Sequence, residues 1–453
     1  RKCMKKNKKL IFVENCLPFI VFAIWITLMH FVAIMGTGDD AWFFKISHDA
    51  NFNLIKWLES RYMTWSSRTL IEASLVISVS LPRICWRIAD SAILILCMVM
   101  ISKLFVRRNK FNNIFLGLLY LSLDYFALIT AGWQATTINY LWPMAALFVS
   151  VYPMAKWIRE EQIRPYEYII YALANIYAVF SEQACVILII LYVSIGIYSL
   201  KKLHLNLGKF YGIQLLIDIA GLLNALFCPG NAKRNISEVA TWFPEYKTFS
   251  VLQKIDLGIS STIKSLFLEK NVMFLLLLFT LTVIGWIRYK KLFYRIIMTF
   301  PFVFVLGLNV VRILFGNGSG LFSFVSTYGV LFEKTNHFLK VYIWYAFLLF
   351  MCLLIMIDIL LVAKDTAKGL LIDLTFIIGL ASKAMLGFSA TVWASYPRTG
   401  WFCQMSFLCC IIMLLETIEK DKKKIIYGLL IIFVLISIFQ MIYNYEHVFS
   451  FAL

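Results

Sequence analysis

Apolar residues run through this chain in blocks of helix-spanning length, separated by short polar punctuation. The blocks fall near 11–36, 86–106, 113–131, 140–157, 167–181, 184–200, 210–228, 272–288, 296–314, 341–363, 369–390, 402–417 and 424–443. None alternates apolar with polar residues, the period-two signature of a membrane barrel strand. A backbone inside hydrocarbon must satisfy its own hydrogen bonds, so unbroken apolar blocks read as helices. The pattern predicts an all-α integral membrane protein with about 13 transmembrane helices in one polytopic domain over 1–453. Blocks 167–181 and 184–200 are separated by only a few residues. Three connections are long enough to fold, near 37–85, 229–271 and 315–340. Short helices are expected in the first. No internal repeat is visible, which leans against a transporter built from paired halves.

Composition agrees with the pattern: 61% of residues are hydrophobic, 16% aromatic and only 15% charged. The net charge of +18 would suggest a nucleic-acid partner in a soluble protein. Here its distribution points to a bilayer instead, and no nucleic acid is expected. With the N-terminus in the cytoplasm, well over half of the 43 Lys and Arg residues fall on the inner side. They cluster in the short segments 1–10, 103–110, 156–164, 201–209, 288–295, 364–368 and 420–424. The short turns at 132–139 and 181–183 hold none. This is the positive-inside pattern, and it predicts a multi-pass protein of the cell membrane with a cytoplasmic N-terminus. The basic stretch Arg1 to Lys9 resembles the start of a signal sequence. No small-residue cleavage site follows, so a retained first helix is expected. The ten cysteines are scattered, mostly in apolar blocks as at Cys85, Cys97, Cys185, Cys352 and Cys409, and read as small core residues. Gly316-Asn317-Gly318-Ser319-Gly320 lacks the Lys and the spacing of a phosphate loop and reads as a turn.

Polar chemistry gathers at the outer ends of the predicted helices. Gly38-Asp39-Asp40-Ala41-Trp42-Phe43 lies just past the first block. Two adjacent carboxylates can serve as general base and as a metal or acceptor contact, or simply cap a short helix. Arg61, Trp65, Arg68 and Glu72 recur at spacings of three and four and share a face if the stretch is helical. Arg68 then either pairs with Glu72 or, like Arg61, offers its planar fork to a phosphate. Arg87 and Asp90 can pair within the second block. The uncharged turn from Gly132 to Pro143 presents Trp133, Gln134, Asn139, Tyr140 and Trp142, a set suited to a sugar ring or to an interfacial aromatic belt. Glu182 sits between two apolar blocks, where a carboxylate is costly unless paired or wet. Cys228-Pro229-Gly230-Asn231 precedes Arg234; Arg312 and Arg398 complete a set of outer cations that can anchor at the interface or clamp a phosphate. Asp124, Asp218, Asp358 and Asp373 fall inside apolar blocks, and the five histidines (30, 48, 204, 337 and 447) show no metal-ligand spacing.

The ordered set Asp39-Asp40, Trp65-Ser66-Ser67-Arg68, Thr137 to Trp142, Ser181-Glu182, Pro229-Gly230-Asn231 with Arg234, and Tyr396-Pro397-Arg398 resembles the bacterial polytopic glycosyltransferases of the GT-C superfamily, and more closely an uncharacterised family of membrane proteins related to them. That resemblance implies transfer of a sugar from a polyprenyl-phosphate donor to an extracytoplasmic surface glycan or lipid-linked acceptor. It implies Asp40 or Asp39 as base, with Asp40 the first choice. It also implies Arg68, Arg234 and Arg398 on the donor phosphate, and Glu182, Trp133, Asn139 and Trp142 around the sugar or acceptor. No cofactor is certain; a divalent cation, Mg or Mn, on Asp39 is one option. Many members carry a large soluble domain after the helices, and no such domain follows them here. The alternative is a transporter or flippase of lipid-linked glycans, in which the four intramembrane aspartates would matter most. A non-catalytic assembly protein is the third reading.

Overall fold

The computed structural model describes residues 2–106, 111–202, 208–315, 338–363, 365–419 and 422–450. The third outer region (315–340) lies almost wholly outside these residues, as do the Gly316 to Gly320 turn, His204 and His337. Among the described residues the protein is helical throughout, with no strand.

The first apolar block forms α1 (Lys2–Val32). The region 37–85 then folds into α2 (Asp39–Ser47), α3 (Leu54–Thr64) and α4 (Thr69–Ser80). Next come α5 (Arg83–Phe105), α6 (Asn112–Leu121), the single turn α7 (Trp133–Thr136) and α8 (Trp142–Ile158), the last two joined by a π-turn over Thr137–Leu141. They are followed by α9 (Pro165–Ala178), α10 (Glu182–Lys202) and α11 (Lys209–Phe227). The second outer region holds α12 (Pro229–Trp242) and α13 (Val251–Ile263). The remaining helices are α14 (Val272–Arg288), α15 (Leu292–Phe315), α16 (Phe338–Val362), α17 (Thr366–Ala384), α18 (Trp401–Leu415) and α19 (Lys423–Asn444).

Each of the thirteen apolar blocks is helical, but not all are long. Among the described residues, eight helices are long and apolar enough to cross a membrane, or nine if Val251–Leu268 and Val272–Arg288, bent by 69°, count as one span. At 1.5 Å per residue the ten residues of α6 cover only about 15 Å, half of a hydrocarbon core. The cause is local: the chain leaves the helix at Ser122, and Asp124 caps a short 3₁₀ turn by accepting from the Phe126 amide at 3.0 Å.

Every residue of α18 except Gln404 is buried, as a helix apolar on nearly all sides must be, so it forms the centre of the bundle. It packs on α17, where a Cβ on Gly379 would come within 1.8 Å of Ser406 Oγ, and on α14. Outer faces are apolar too: Leu226 is 68% exposed, Ile313 78% and Phe439 65%. Contiguous faces of this kind belong against lipid rather than water. Helix ends that share hydrogen bonds define two poles. At one, Arg159 donates to the carbonyls of Lys103 and Leu104, and Asn112 to Glu416. At the other, the far pole, Gln183 donates to Ser382 and Thr399 and Asn444 to Leu123.

Candidate functional site

The far pole collects most of the residues singled out by sequence. Asp39 and Asp40 open α2 beneath two glycines with left-handed backbones, Gly38 (φ +58°) and Gly132 (φ +99°). A Cβ on Gly132 would lie 2.6 Å from the Asp40 Cγ, and one on Gly38 would lie 3.0 Å from the Ala131 carbonyl. Only glycine lets these backbones approach so closely. The Asp39 amide donates to Ala131 O at 2.9 Å. Asp40 is buried and accepts from the amides of Gln134 (3.1 Å) and Ala135 (2.7 Å), so its carboxylate caps the helical run that starts at Trp133. Burial pushes its pKa up to about 7; the amide hydrogen bonds oppose the rise and the Asp39 charge adds to it. Asp39 is exposed, and the surrounding protein raises its pKa while Arg398 and Arg61 pull it down. Of the two carboxylates, Asp39 is thus the one a ligand can reach.

The shared helical face expected for Arg61, Trp65, Arg68 and Glu72 does not form, because α3 ends at Thr64 and α4 starts only after Arg68, its N-cap. Glu72 takes Arg61 instead of Arg68, through bonds of 2.7 and 3.0 Å. Arg61 also lies against the rings of Trp42, Trp57 and Trp65. It is committed to holding the first outer region together. Arg68 reaches across to Glu182, with Nε at 2.7 Å and Nη2 at 2.6 Å from Oε2, and its Nη1 donates to Asn139 Oδ1 at 3.2 Å.

Two interlocks bring the other cations here. The Pro229-Gly230-Asn231 turn docks on the Trp65 to Ser67 turn: Asn231 bonds the Ser67 amide (3.3 Å) and hydroxyl (3.1 Å). A Cβ on Gly230 would meet the Trp65 nitrogen at 2.5 Å. One turn further on, Arg234 stands 3.7 Å from Glu238, within ion-pair range but too far for a hydrogen bond. The second interlock is Gln183, whose amide fixes the backbone at Ser382 and Thr399 and so ties the segment that carries Arg398 to the start of α10. The electrostatic neighbours of Glu238 are Arg234, Arg68 and Arg398, with Glu182 as the opposing like charge. Its pKa is raised, since desolvation outweighs the three guanidinium groups. Among the described residues, Glu182 Oε1 and Arg234 Nε are buried with no hydrogen-bond partner.

The three arginines expected to act together all lie within electrostatic reach of Glu238, and Arg68 among them bonds Glu182 and Asn139. Trp133 and Trp142 do not join them. Trp133 stacks on Phe449 at 5.0 Å between ring centroids, and Trp142 donates to Asp90 Oδ1 at 2.7 Å. Both face the bundle interior because the run from Trp133 is helical and carries successive side chains around its axis. Arg87 does not pair with Asp90. It bonds the carbonyls of Phe31 and Ala33, while Asp90 takes His30 at 2.9 Å. Glu238 escaped the sequence reading, although its place four residues after Arg234 marks an i,i+4 pair.

Around Asp39 the protein supplies few further ligands for a divalent cation. No group of three His, Cys, Asp or Glu side chains among the described residues can hold a metal ion, and the Asp40 oxygens are taken by backbone amides. The positive charges that act on Asp39 are the guanidinium groups of Arg398 and Arg61.

Fold and site together have the character of a helical membrane protein with a charged, partly buried centre at one pole. Comparison of the chain with protein-family models, curated proteins and solved structures finds no match.

Proposed function

We propose that this protein is a membrane glycosyltransferase that moves a sugar from a polyprenyl-phosphate donor to an extracytoplasmic surface glycan or lipid-linked acceptor. In this reading the chain passes the membrane thirteen times in a GT-C-like bundle, with α6 and α9 as shortened passes. The N-terminus is cytoplasmic, and the far pole opens on the outer side of the cell membrane.

The observation that carries the reading is the gathering of Arg68, Arg234 and Arg398, from three distant stretches of chain, around Glu238. Breaking a sugar–phosphate bond requires positive charge on the departing phosphate. Three guanidinium groups in a partly desolvated setting provide it. Glu238 touches Arg234 only at 3.7 Å, so a donor phosphate displaces it without breaking a hydrogen bond. Asp39, exposed beside Arg398, takes the proton of the acceptor hydroxyl. The bond from the anomeric carbon to phosphate breaks as the bond to the acceptor oxygen forms, and the phosphate leaves with the electron pair. Asp40 positions Asp39 and the Trp133 turn. Asn139 and the unbonded oxygen of Glu182 accept from sugar hydroxyls. Because the activated bond arrives in the lipid, no nucleotide is consumed.

The test is mass analysis of surface glycans from cells carrying wild type, Asp39→Asn, Arg234→Gln or Arg398→Gln, with membrane insertion verified for each. Loss of a sugar in all three variants is expected. An unaltered glycan profile in every one of them would end the assignment.

A further inference from the structure

Of the arginines of the proposed transfer site, Arg68 and Arg234 form ion pairs; another group of cations at the same pole does not. Lys264 belongs to the turn that follows α13, and Lys270 to the break before α14. Arg312 lies in the last turn of α15, and Lys383 in the last turn of α17. Among the described residues none of the four forms an ion pair. Three sit over aromatic rings instead: Lys264 over Trp393 at 4.8 Å, Lys270 over Tyr443 at 3.8 Å and Lys383 over Tyr396 at 4.4 Å. Arg312 donates to Asn309 Oδ1 at 2.9 Å.

These cations share one neighbourhood: Lys264 and Lys270 flank the turn whose Leu268 carbonyl accepts from Arg312 at 3.5 Å, and the rings beneath Lys264 and Lys383, Trp393 and Tyr396, belong to one short stretch of chain. Glu269 lies within electrostatic reach of Lys383, Arg312 and Tyr396. Lys264 repels Lys383, and Lys270 repels Arg312. Among the described residues Glu269 offsets the charges of Lys383 and Arg312, and Asp124 that of Lys270. Lys383 is the most informative member. It is 2% exposed, and among the described residues its ammonium has a ring face and no hydrogen-bond acceptor. An ammonium withdrawn from water is costly unless an anion meets it. The amide end of α14, capped by Asn271, adds the positive pole of a helix to the same place.

We propose that Lys264, Lys270, Arg312 and Lys383 form a second anion site that binds a phosphoryl group, carried by a lipid headgroup or by a soluble phosphate. Its binding is read directly and does not depend on the transfer reaction. The aromatic faces hold the ammonium groups apart in the free protein, and a ligand with several acceptor oxygens draws on all four cations at once.

Binding of pyrophosphate to the purified full chain, measured by calorimetry, is one arm of the test. The other is thermal stabilisation in lipid nanodiscs made with and without phosphatidate. Lys264→Gln, Arg312→Gln and Lys383→Met should each weaken binding about tenfold or more. Lys254→Gln removes an equal charge that sits over Tyr246 outside the cluster and should leave affinity unchanged. If Lys383→Met fails to fold, the Lys264 and Arg312 variants decide. A response to pyrophosphate alone or to phosphatidate alone names the source and supports the site. No response in either arm overturns it. So does equal loss in Lys254→Gln, or loss in Arg234→Gln with the lysine variants intact.

Discussion

Breaking the ion pair between Arg68 and Glu182 perturbs the site most directly. The two residues are 114 positions apart, and their contact ties the start of α4 to the start of α10. Two short nitrogen–oxygen contacts converge on Oε2 at 2.7 and 2.6 Å, with side chains 22% and 24% exposed. A fully exposed pair contributes about 0–1 kcal/mol, whereas removing one member of a fully buried pair costs about 3–5 kcal/mol. At roughly a quarter exposure the coupling should lie between these limits, near 2 kcal/mol. Arg68→Gln should cost more than Glu182→Gln. It leaves a carboxylate that already has one oxygen unsatisfied, whereas the Glu182 variant leaves Arg68 its bond to Asn139. The assay is a double-mutant cycle on Arg68→Gln, Glu182→Gln and the double variant, by equilibrium unfolding in mixed micelles. A coupling energy below about 0.5 kcal/mol would show that the pair acts as two independent surface charges and would refute the account of the site as preorganised. Arg68→Lys refines it: the charge remains but the fork is lost, so stability should be recovered only in part.

Three further outcomes follow from the same geometry. Gly132→Ala should destabilise the protein by about 2 kcal/mol or more, since the added carbon would press on the Asp40 carboxylate in a left-handed backbone; wild-type thermal stability in that variant would contradict it. The pKa of Asp40 is higher in the fold, about 7, than its ordinary value of 3.8, so the native state binds the proton more tightly. Its stabilising contribution is therefore complete below about pH 4 and declines as pH rises towards 7; comparing thermal stability of wild type and Asp40→Asn across that window should show the decline in wild type only. Trp133→Ala should cost about 3–5 kcal/mol in stability through the lost stack on Phe449, while the folded fraction keeps its affinity for donor; a selective rise in donor KM would return Trp133 to the sugar pocket.

The sequence by itself determined that the protein is helical and where the helices lie. Every apolar block contains a helix, because the lengths of apolar runs and the breaks at Pro229 and Gly132 are local properties that the backbone cannot evade. It also determined which residues had to be explained, since charges such as Glu182 and Arg398 stand against an apolar background. Span length was less legible. The block at 113–131 is continuous in composition, yet a capping aspartate at 124 ends the helix early. What only the tertiary structure decided was pairing. Helical spacing offered Glu72 to Arg68, but a turn at Trp65 to Ser67 rotates α4 away from α3, so Glu72 meets Arg61 and Arg68 finds Glu182. The same holds for Asp40, whose neighbours are amides about a hundred residues away, brought near by two glycines. Periodicity reports on residues three or four positions apart along one helix. The site is built from side chains on different helices, and only the packing of those helices decides which charges meet.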